Sequence, residues 1–297
     1  MSHSSQRGRR QLLKTLGTGM VGLSIGACPP QRSRTTDLQH ISSLKGNIRH
    51  SASTWCYNNI PLAELARAGR EMGLSGLDLV QPTDWKVVQD AGLEVSMGYG
   101  TTLGLTKGFN DPGNWEKLHA DYRTNIPLAG KMGVKRLACF SGNRNGLDRE
   151  TGLKNCEEGL KPLLELAEKN GVILCMETLN SKIDHPDYQC DRTEWGVELV
   201  GRLNSPGFRL LYDIYHMQIM EGDIIRTIRD HHESIAHYHT GGNPGRNEIN
   251  ETQELFYPAI MRAIVATGFE GFVAQEFIPT REDRLESLRE AIRICDV

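Results

Sequence analysis

From residue 46 onward, short apolar runs alternate with longer segments in which apolar residues recur every three or four positions. Short apolar runs predict buried strands, whereas a spacing of three to four predicts amphipathic helices. The helical spacing is clear at Trp115, Leu118, Tyr122, Ile126 and Ala129. The pattern predicts eight strands, at residues 48–53, 76–80, 93–97, 135–140, 172–176, 208–212, 235–240 and 271–275.

Glycine marks the junctions at which predicted helices pass into predicted strands. A glycine just past a helix adopts the left-handed conformation at little steric cost, and the apolar residue after it enters the next strand. Such junctions occur at Gly73, Gly92, Gly133, Gly171 and Gly268. Eight β/α units in about 250 residues predict an α/β fold, a (β/α)8 TIM barrel that forms a single domain over residues 46–297. A doubly wound open sheet is the alternative, but no G-x-G-x-x-G motif follows the first strand.

Four polar residues stand at the ends of the last four predicted strands: Glu177, Asp213, His239 and Glu276. Active sites of TIM barrels lie at the C-terminal ends of the strands, so we expect these side chains to converge. Each carboxylate alone could instead cap the helix that follows it. Three clustered carboxylates repel one another unless a cation lies between them. The set therefore predicts a site for one divalent metal ion, Mg²⁺, Mn²⁺, Co²⁺ or Zn²⁺.

Five short motifs surround these strand ends: Met-Glu-Thr-Leu-Asn at 176–180, Asp-His-Pro-Asp-Tyr at 184–188, Tyr-Asp-Ile-Tyr-His-Met-Gln at 212–218, His-Tyr-His at 237–239 and Asn-Pro-Gly-Arg-Asn-Glu at 243–248. With these motifs the chain resembles the hydroxypyruvate isomerase family of the xylose-isomerase-like TIM barrel superfamily. The resemblance covers most of residues 46–297. The motifs at 212–218 and 243–246 are fairly specific, whereas a barrel alone is not.

The resemblance implies roles for individual residues. Glu177, Asp213, His239 and Glu276 match the metal ligands of the family, and the two glutamates also match its acid/base pair. Two further positions, His216 and Arg246, match residues that contact substrate oxygens. His185, in the loop after the fifth predicted strand, is either a substrate contact from a lid or an ordinary exposed loop histidine. One position departs from the pattern, because hydroxypyruvate isomerases usually have glutamine where this chain has His239, whereas ketose epimerases have histidine. The substrate is therefore less firmly predicted than the site.

The function that the resemblance implies is metal-dependent aldose–ketose isomerisation of a small hydroxy-carbonyl compound through an enediolate. The conversion of hydroxypyruvate to tartronate semialdehyde is the first expectation. A ketose 3-epimerase or another sugar isomerase of the same superfamily is the alternative within this chemistry. A non-catalytic, lipid-anchored sugar-binding protein is the alternative of another class. In each case the partner is a small molecule, and the oligomeric state, including a homo-oligomer, stays open.

Composition and net charge limit the classes of molecule that the protein is expected to bind. The chain has 297 residues, of which 38% are hydrophobic and 24% charged, as is ordinary for a globular protein. The formal net charge is −3, and the first 27 residues hold four basic residues and no acid, which leaves −7 for residues 28–297. An acidic domain does not attract a nucleic-acid backbone. Cleavage of abasic DNA, as in the related endonuclease IV group, is also disfavoured because residues 81–83 and 98–100 offer no histidine.

The first 27 residues are typical of a twin-arginine export signal. Arg9 and Arg10 precede Gln-Leu-Leu-Lys, and a weakly apolar stretch over 15–27 is too short to span a membrane. Ile-Gly-Ala-Cys then resembles a lipobox, with Cys28 as the residue to be lipidated. Residues 28–45 are predicted to form a flexible tether, and the protein is expected in the periplasm, with Cys28 as its one membrane anchor. A disordered basic tail is the alternative.

Six cysteines follow Cys28 in the sequence, and none forms a C-x-x-C pair. Cys139 and Cys175 lie inside apolar strand runs, which favours small hydrophobic core residues. An oxidising compartment would permit a disulfide, but spacing does not predict its pairing.

Overall fold

A ring of parallel strands forms the centre of residues 44–297, the part of the chain that this computed structural model describes. The strands are β1 (Arg49–Ser53), β2 (Gly76–Asp78), β3 (Glu94–Val95), β4 (Gly98–Tyr99), β5 (Arg136–Cys139), β6 (Ile173–Glu177), β7 (Phe208–Asp213), β8 (Ile235–Thr240) and β9 (Phe272–Gln275). They pair in the order β3-β2-β1-β9-β8-β7-β6-β5-β4, so the predicted α/β barrel is confirmed.

The strand predicted at 93–97 is two short strands, which corrects the sequence-based boundary. Residues 94–99 change neighbours along their length, since β3 pairs with β2 and β4 pairs with β5. Between β3 and β4 the chain stays hydrogen-bonded to β2, because the Ser96 amide donates to the Leu77 carbonyl at 2.9 Å. Together β3 and β4 occupy the position of one barrel strand and close the ring. Counting them as one strand gives the eight strands predicted.

Nine helices surround the barrel in the described residues: α1 (Leu62–Glu71), α2 (Trp85–Asp90), α3 (Trp115–Met132), α4 (Arg149–Lys169), α5 (Thr193–Leu203), α6 (Ile214–Met220), α7 (Ile224–His231), α8 (Tyr257–Ala266) and α9 (Arg284–Cys295). Aspartate side chains begin several of them. The Asp148 carboxylate accepts from the Thr151 amide at 2.8 Å at the start of α4, and Asp283 accepts from the Leu285 amide at 3.0 Å at the start of α9. These caps satisfy amides that have no partner within the helix.

The junction glycines adopt the conformation that the sequence predicted. All five have positive φ, from 64° at Gly171 to 92° at Gly73. This left-handed turn strains a residue with a Cβ, so glycine there lets the chain turn from helix to strand.

The barrel interior is filled with side chains rather than open. Phe272 lies near the N-terminal ends of the strands, with the Arg49 guanidinium 4.0 Å and the Arg136 guanidinium 5.9 Å from its ring centroid. Strand β7 is buried along nearly its whole length, as expected for parallel strands covered on both faces. Cys139 and Cys175 are buried, as predicted, and all six cysteines of the described residues are unpaired.

The predictions for the export signal, for Cys28 and for most of the tether lie outside residues 44–297. Within that range, no helix has both the length and the hydropathy needed to cross a bilayer.

Candidate metal centre and active site

Glu177, Asp213, His239 and Glu276 converge at the C-terminal mouth of the barrel. One potential ligand atom from each of the four lies within 4.8 Å of every other, and all four residues are buried. The Nδ1 atom of His239 is the centre of the group. It lies 2.8 Å from Glu276 Oε2, 3.1 Å from Glu177 Oε1 and 3.9 Å from Asp213 Oδ2. The structure thus brings together the side chains that the strand pattern predicted would meet.

Strand order and register place these four residues at the same height along the barrel axis, at the C-terminal ends of their strands. Glu177 and Asp213 are the last residues of β6 and β7, and Glu276 directly follows β9. Asp213 stands opposite His239 in the β7–β8 pairing. Asp213 also accepts a 3.0 Å hydrogen bond from the His216 amide through Oδ1. It therefore caps α6 with one oxygen while the other faces the cluster.

Glu276 is held by two groups besides His239. The indole Nε1 of Trp55 donates a 2.7 Å hydrogen bond to Glu276 Oε1, and an Arg246 terminal nitrogen lies 2.5 Å from Oε2. The same nitrogen lies 3.3 Å from Asp213 Oδ2. Sequence reasoning missed Trp55, although it lies two residues past the first strand, at the C-terminal mouth of the barrel.

Arg246 lies at the rim of the centre, close to two aromatic rings. Its guanidinium is 5.1 Å from the Trp55 ring centroid and 5.4 Å from that of Tyr215. Contact with two aromatic rings restricts the direction in which the guanidinium points. The residue that the resemblance assigned to the substrate is therefore ordered against the carboxylate cluster.

His216 lies next to Asp213, and its ring centroid is 5.2 Å from that of His185. The Asn180 amide nitrogen lies 2.6 Å from His216 Nδ1 and 2.7 Å from Asp184 Oδ2. Because the amide donates to both atoms, the His216 proton is on Nε2, which lies 3.6 Å from Asp213 Oδ2. Burial lowers the pKa of His216 well below its usual value, so this imidazole is neutral.

The centre holds more acidic than basic side chains. Burial, followed by repulsion from Glu276, raises the pKa of Glu177. Burial also raises the pKa of Asp213, to about 7. Burial would do the same to Glu276, but His239 and Arg246 outweigh it and hold that pKa well below the usual value. Three buried carboxylates facing one guanidinium and one imidazole form a donor set suited to a divalent cation.

Asp78, the last residue of β2, also contacts the centre, and sequence reasoning missed it. Its Oδ1 lies 3.0 Å from Nε2 of His239, on the side of the imidazole away from the cluster. Its Oδ2 lies 2.7 Å from Nε2 of His237, which faces the barrel interior below His239. The available signal was an acidic residue within the apolar run Gly-Leu-Asp-Leu-Val at 76–80.

Comparison with known proteins identifies the family and the type of enzyme. The family model described as xylose isomerase-like TIM barrel matches residues 85–296. A Homo sapiens protein provisionally named hydroxypyruvate isomerase is 27% identical over 263 residues, which cover 84% of this chain and 88% of that protein. The hydroxypyruvate isomerase of Escherichia coli is 27% identical over 169 residues, which cover 57% of this chain and 65% of that enzyme.

Among solved structures, a Brucella melitensis protein described as an AP endonuclease of family 2 superposes with a TM-score of 0.72. The match covers 80% of this chain and 95% of that protein at 24% identity, so it supports the fold alone. The two relatives named above are isomerases by name. The expectation of an enzyme of the isomerase type is therefore confirmed.

Proposed function

The chain belongs to the xylose isomerase-like TIM barrel family, and on that premise we propose that it is a metal-dependent isomerase of a small α-hydroxy carbonyl compound. The proposed reaction converts hydroxypyruvate to tartronate semialdehyde through the enediolate of the substrate. The isomerase names of the two relatives support the reaction type. The site geometry supports the assignment of roles.

One observation carries the proposal: Glu177 and Glu276 approach the same atom, Nδ1 of His239, from strands that are not neighbours. Strands β7 and β8 lie between them, so the two carboxylates lie on different sides of the cluster. Isomerisation takes a proton from one carbon and delivers a proton to the next. Two separated carboxylates are suited to those two transfers.

The donor set fits a single divalent cation, Mg²⁺, Mn²⁺, Co²⁺ or Zn²⁺, held by Glu177, Asp213, His239 and Glu276. When bound, such a cation polarises the substrate carbonyl and acidifies the neighbouring C–H bond. Asp213 and His239 serve as ligands alone, while the two glutamates also exchange protons with the substrate.

Two residues orient the substrate in this proposal. Arg246 binds the substrate carboxylate through its planar fork of donors, and its contacts with the Trp55 and Tyr215 rings hold that fork in place before binding. His216 donates from Nε2 to a substrate oxygen, since its Nδ1 is already engaged by Asn180. His185 lies beside the His216 ring and can reach the substrate from the loop after β6.

Solvent proton exchange tests the proposal directly. The metal-loaded protein is incubated with hydroxypyruvate in deuterated water, and both compounds are followed by NMR against a sample without protein. We expect tartronate semialdehyde that carries deuterium at C2. A sugar-binding protein without turnover would give no product and no exchange beyond the control, and that result would overturn the proposal.

A cavity beside the centre favours epimerisation or isomerisation of a larger ketose as a second candidate. It has a volume of about 490 Å³ and shares Trp55 and Tyr99 with the mouth of the barrel. Cavities of about 300–1,000 Å³ hold ligands much larger than a three-carbon acid. Its walls include Tyr57, Leu62 and Asp84 but no Lys, Arg or His, so they offer no basic partner to an anionic substrate.

Filling this cavity separates the two candidates. We expect Leu62→Trp to lower kcat/KM for D-fructose more than for hydroxypyruvate if ketoses are the substrates. Ala63→Trp is the matched control, because Ala63 is the exposed neighbour of Leu62 on α1. Equal kcat/KM values for D-fructose in the two variants would argue against the ketose.

We further propose that the protein is exported by the twin-arginine route and anchored in the periplasm by lipid on Cys28. The Arg9-Arg10 pair and the Ile-Gly-Ala-Cys sequence support this. Fractionation of a bacterial host that expresses the full chain tests it. Cys28→Ala should release the protein from the membrane fraction, and Arg9→Lys combined with Arg10→Lys should keep it in the cytoplasm.

A further inference from the structure

A buried aspartate on the far side of the barrel touches the histidine of the proposed metal centre. Asp78 and His239 are 161 positions apart, and the sheet order places β1 and β9 between their strands. The contact therefore crosses the barrel interior. Asp78 has no exposed surface, so its carboxylate depends entirely on protein groups to stabilise its charge.

Both carboxylate oxygens of Asp78 are used. Oδ1 faces Nε2 of His239 at 3.0 Å, and Oδ2 lies 2.7 Å from Nε2 of His237. The Ser96 hydroxyl donates to Oδ2 at 2.9 Å. The His237 ring stands nearly perpendicular to that of His239, at 83° with a centroid separation of 5.3 Å. With Oδ2 against His237 and Ser96, Oδ1 is the oxygen that faces His239.

We propose that Asp78 is a positioning residue that selects Nδ1 of His239 as the metal-binding atom. A carboxylate accepts but does not donate, so Oδ1 stabilises the tautomer with the proton on Nε2. The lone pair then lies on Nδ1, the atom that faces Glu177 and Glu276. A carboxylate behind a ligating histidine also strengthens the imidazole as a donor. This inference rests on the proposed metal centre.

The effect on metal affinity is large enough to measure. Loss of such an outer contact weakens metal binding by about 10- to 100-fold. Asp78→Asn retains the size of the side chain but removes its charge, and the amide can present a donor to Nε2. We therefore expect the Kd of Asp78→Asn for Zn²⁺, measured by competition with a chelating dye, to rise by about 10- to 100-fold.

Asp191→Asn is the matched control. Asp191 is also a buried aspartate, but it pairs with Arg144 at 2.7 Å rather than with a proposed ligand. We expect this control to keep the wild-type Kd for Zn²⁺. A purely structural Asp78 would lower the Tm of the metal-free protein without changing the Kd, and that combination would overturn the proposal.

A measurement on the unaltered protein keeps the proposal testable if Asp78→Asn does not fold. In the Zn²⁺-loaded protein with ¹⁵N-labelled histidine, we expect His239 to bind through Nδ1 and to carry its proton on Nε2. Its signals are assigned by their loss in His239→Gln. Binding through Nε2 would overturn the inference. A wild-type protein that binds no Zn²⁺ would instead remove the metal centre and the proposed function together.

Discussion

The indole nitrogen of Trp55 donates a 2.7 Å hydrogen bond to Oε1 of Glu276, and so joins the ends of the first and last strands of the barrel. The contact spans 221 positions of sequence. It leaves Oε2 of Glu276 for His239 and Arg246. One proposed catalytic carboxylate is thus oriented through both of its oxygens.

Replacing Trp55 with Phe removes this hydrogen bond while a ring remains beside Arg246. A hydrogen bond to a charged group contributes about 1.5–3 kcal/mol, so we expect kcat/KM for hydroxypyruvate to fall by about 10-fold or more. The control is Trp115→Phe. In the wild type the Trp115 indole donates to the Phe109 carbonyl at 2.8 Å, away from the centre. That variant should lose stability but keep kcat. Equal kcat/KM values in the two variants would show that Trp55 does not orient Glu276 for the reaction.

The proposed acid/base pair predicts that Glu177→Gln and Glu276→Gln each lose turnover without losing the fold. Loss of a general acid or base costs about 10²- to 10⁴-fold in rate, and we expect kcat to fall at least that far in each variant. Activity is measured with circular dichroism alongside, and Glu254→Gln, an exposed glutamate that bonds Gln218, is the control. Near-normal turnover in either site variant would refute the mechanism.

Substitution of Arg246 by Ala should chiefly affect substrate binding. Among the described residues, Arg246 is the one arginine or lysine that pairs with the cluster carboxylates, so it is the expected partner of a substrate carboxylate. We expect the KM for hydroxypyruvate to rise more than kcat falls. Steady-state kinetics with hydroxypyruvate tests this, and an unchanged KM would argue against a carboxylate at this position.

Metal removal should lower both activity and thermal stability. A ligand that binds only the folded state stabilises it by about 2.7 kcal/mol at 100 times its Kd. We expect EDTA to abolish activity, and Mg²⁺, Mn²⁺, Co²⁺ or Zn²⁺ to restore it and raise the Tm. In Asp213→Asn the increase in Tm should be smaller, since one ligand is weakened. A Tm that does not respond to any of these ions would contradict the metal centre.

The stability of the metal-free protein should fall on acidification because of His50. Burial lowers the pKa of this imidazole to about 4, against a smaller opposing effect of Asp296. The unfolded chain has the ordinary value of about 6.5. The folded state therefore favours the neutral ring, whose contribution is complete above pH 6.5 and is lost as the pH falls toward 4. The loss reaches about 3 kcal/mol.

Denaturant unfolding of the wild type and of His50→Gln between pH 7 and 4.5 tests this expectation. Neither ring nitrogen of His50 has a hydrogen-bond partner among the described residues, so the variant removes the titration without breaking a bond. The free energy of unfolding should decrease less steeply with falling pH in the variant. Parallel curves for the two proteins would contradict the lowered pKa.

Local patterns along the chain were enough to predict the barrel and the four clustered side chains. Strand runs and junction glycines are set by neighbouring residues, so they can be read without any knowledge of distant contacts. Glu177, Asp213 and Glu276 could be found because parallel strands in a barrel bring their C-terminal ends to one mouth. Metal binding by these residues remains a prediction.

The roles of Trp55 and Asp78 emerged only from the folded structure. The same is true of the division of the third predicted strand into β3 and β4. Asp78 belongs to a buried run like many others, and its meaning depends on His237 and His239, which lie about 160 positions away and across the barrel. Trp55 likewise gains its role from a glutamate on the last strand. A local pattern records which face of an element is buried, but it does not record which distant side chain that face meets. Those long-range contacts are set by strand order and register, which are established only when the barrel closes.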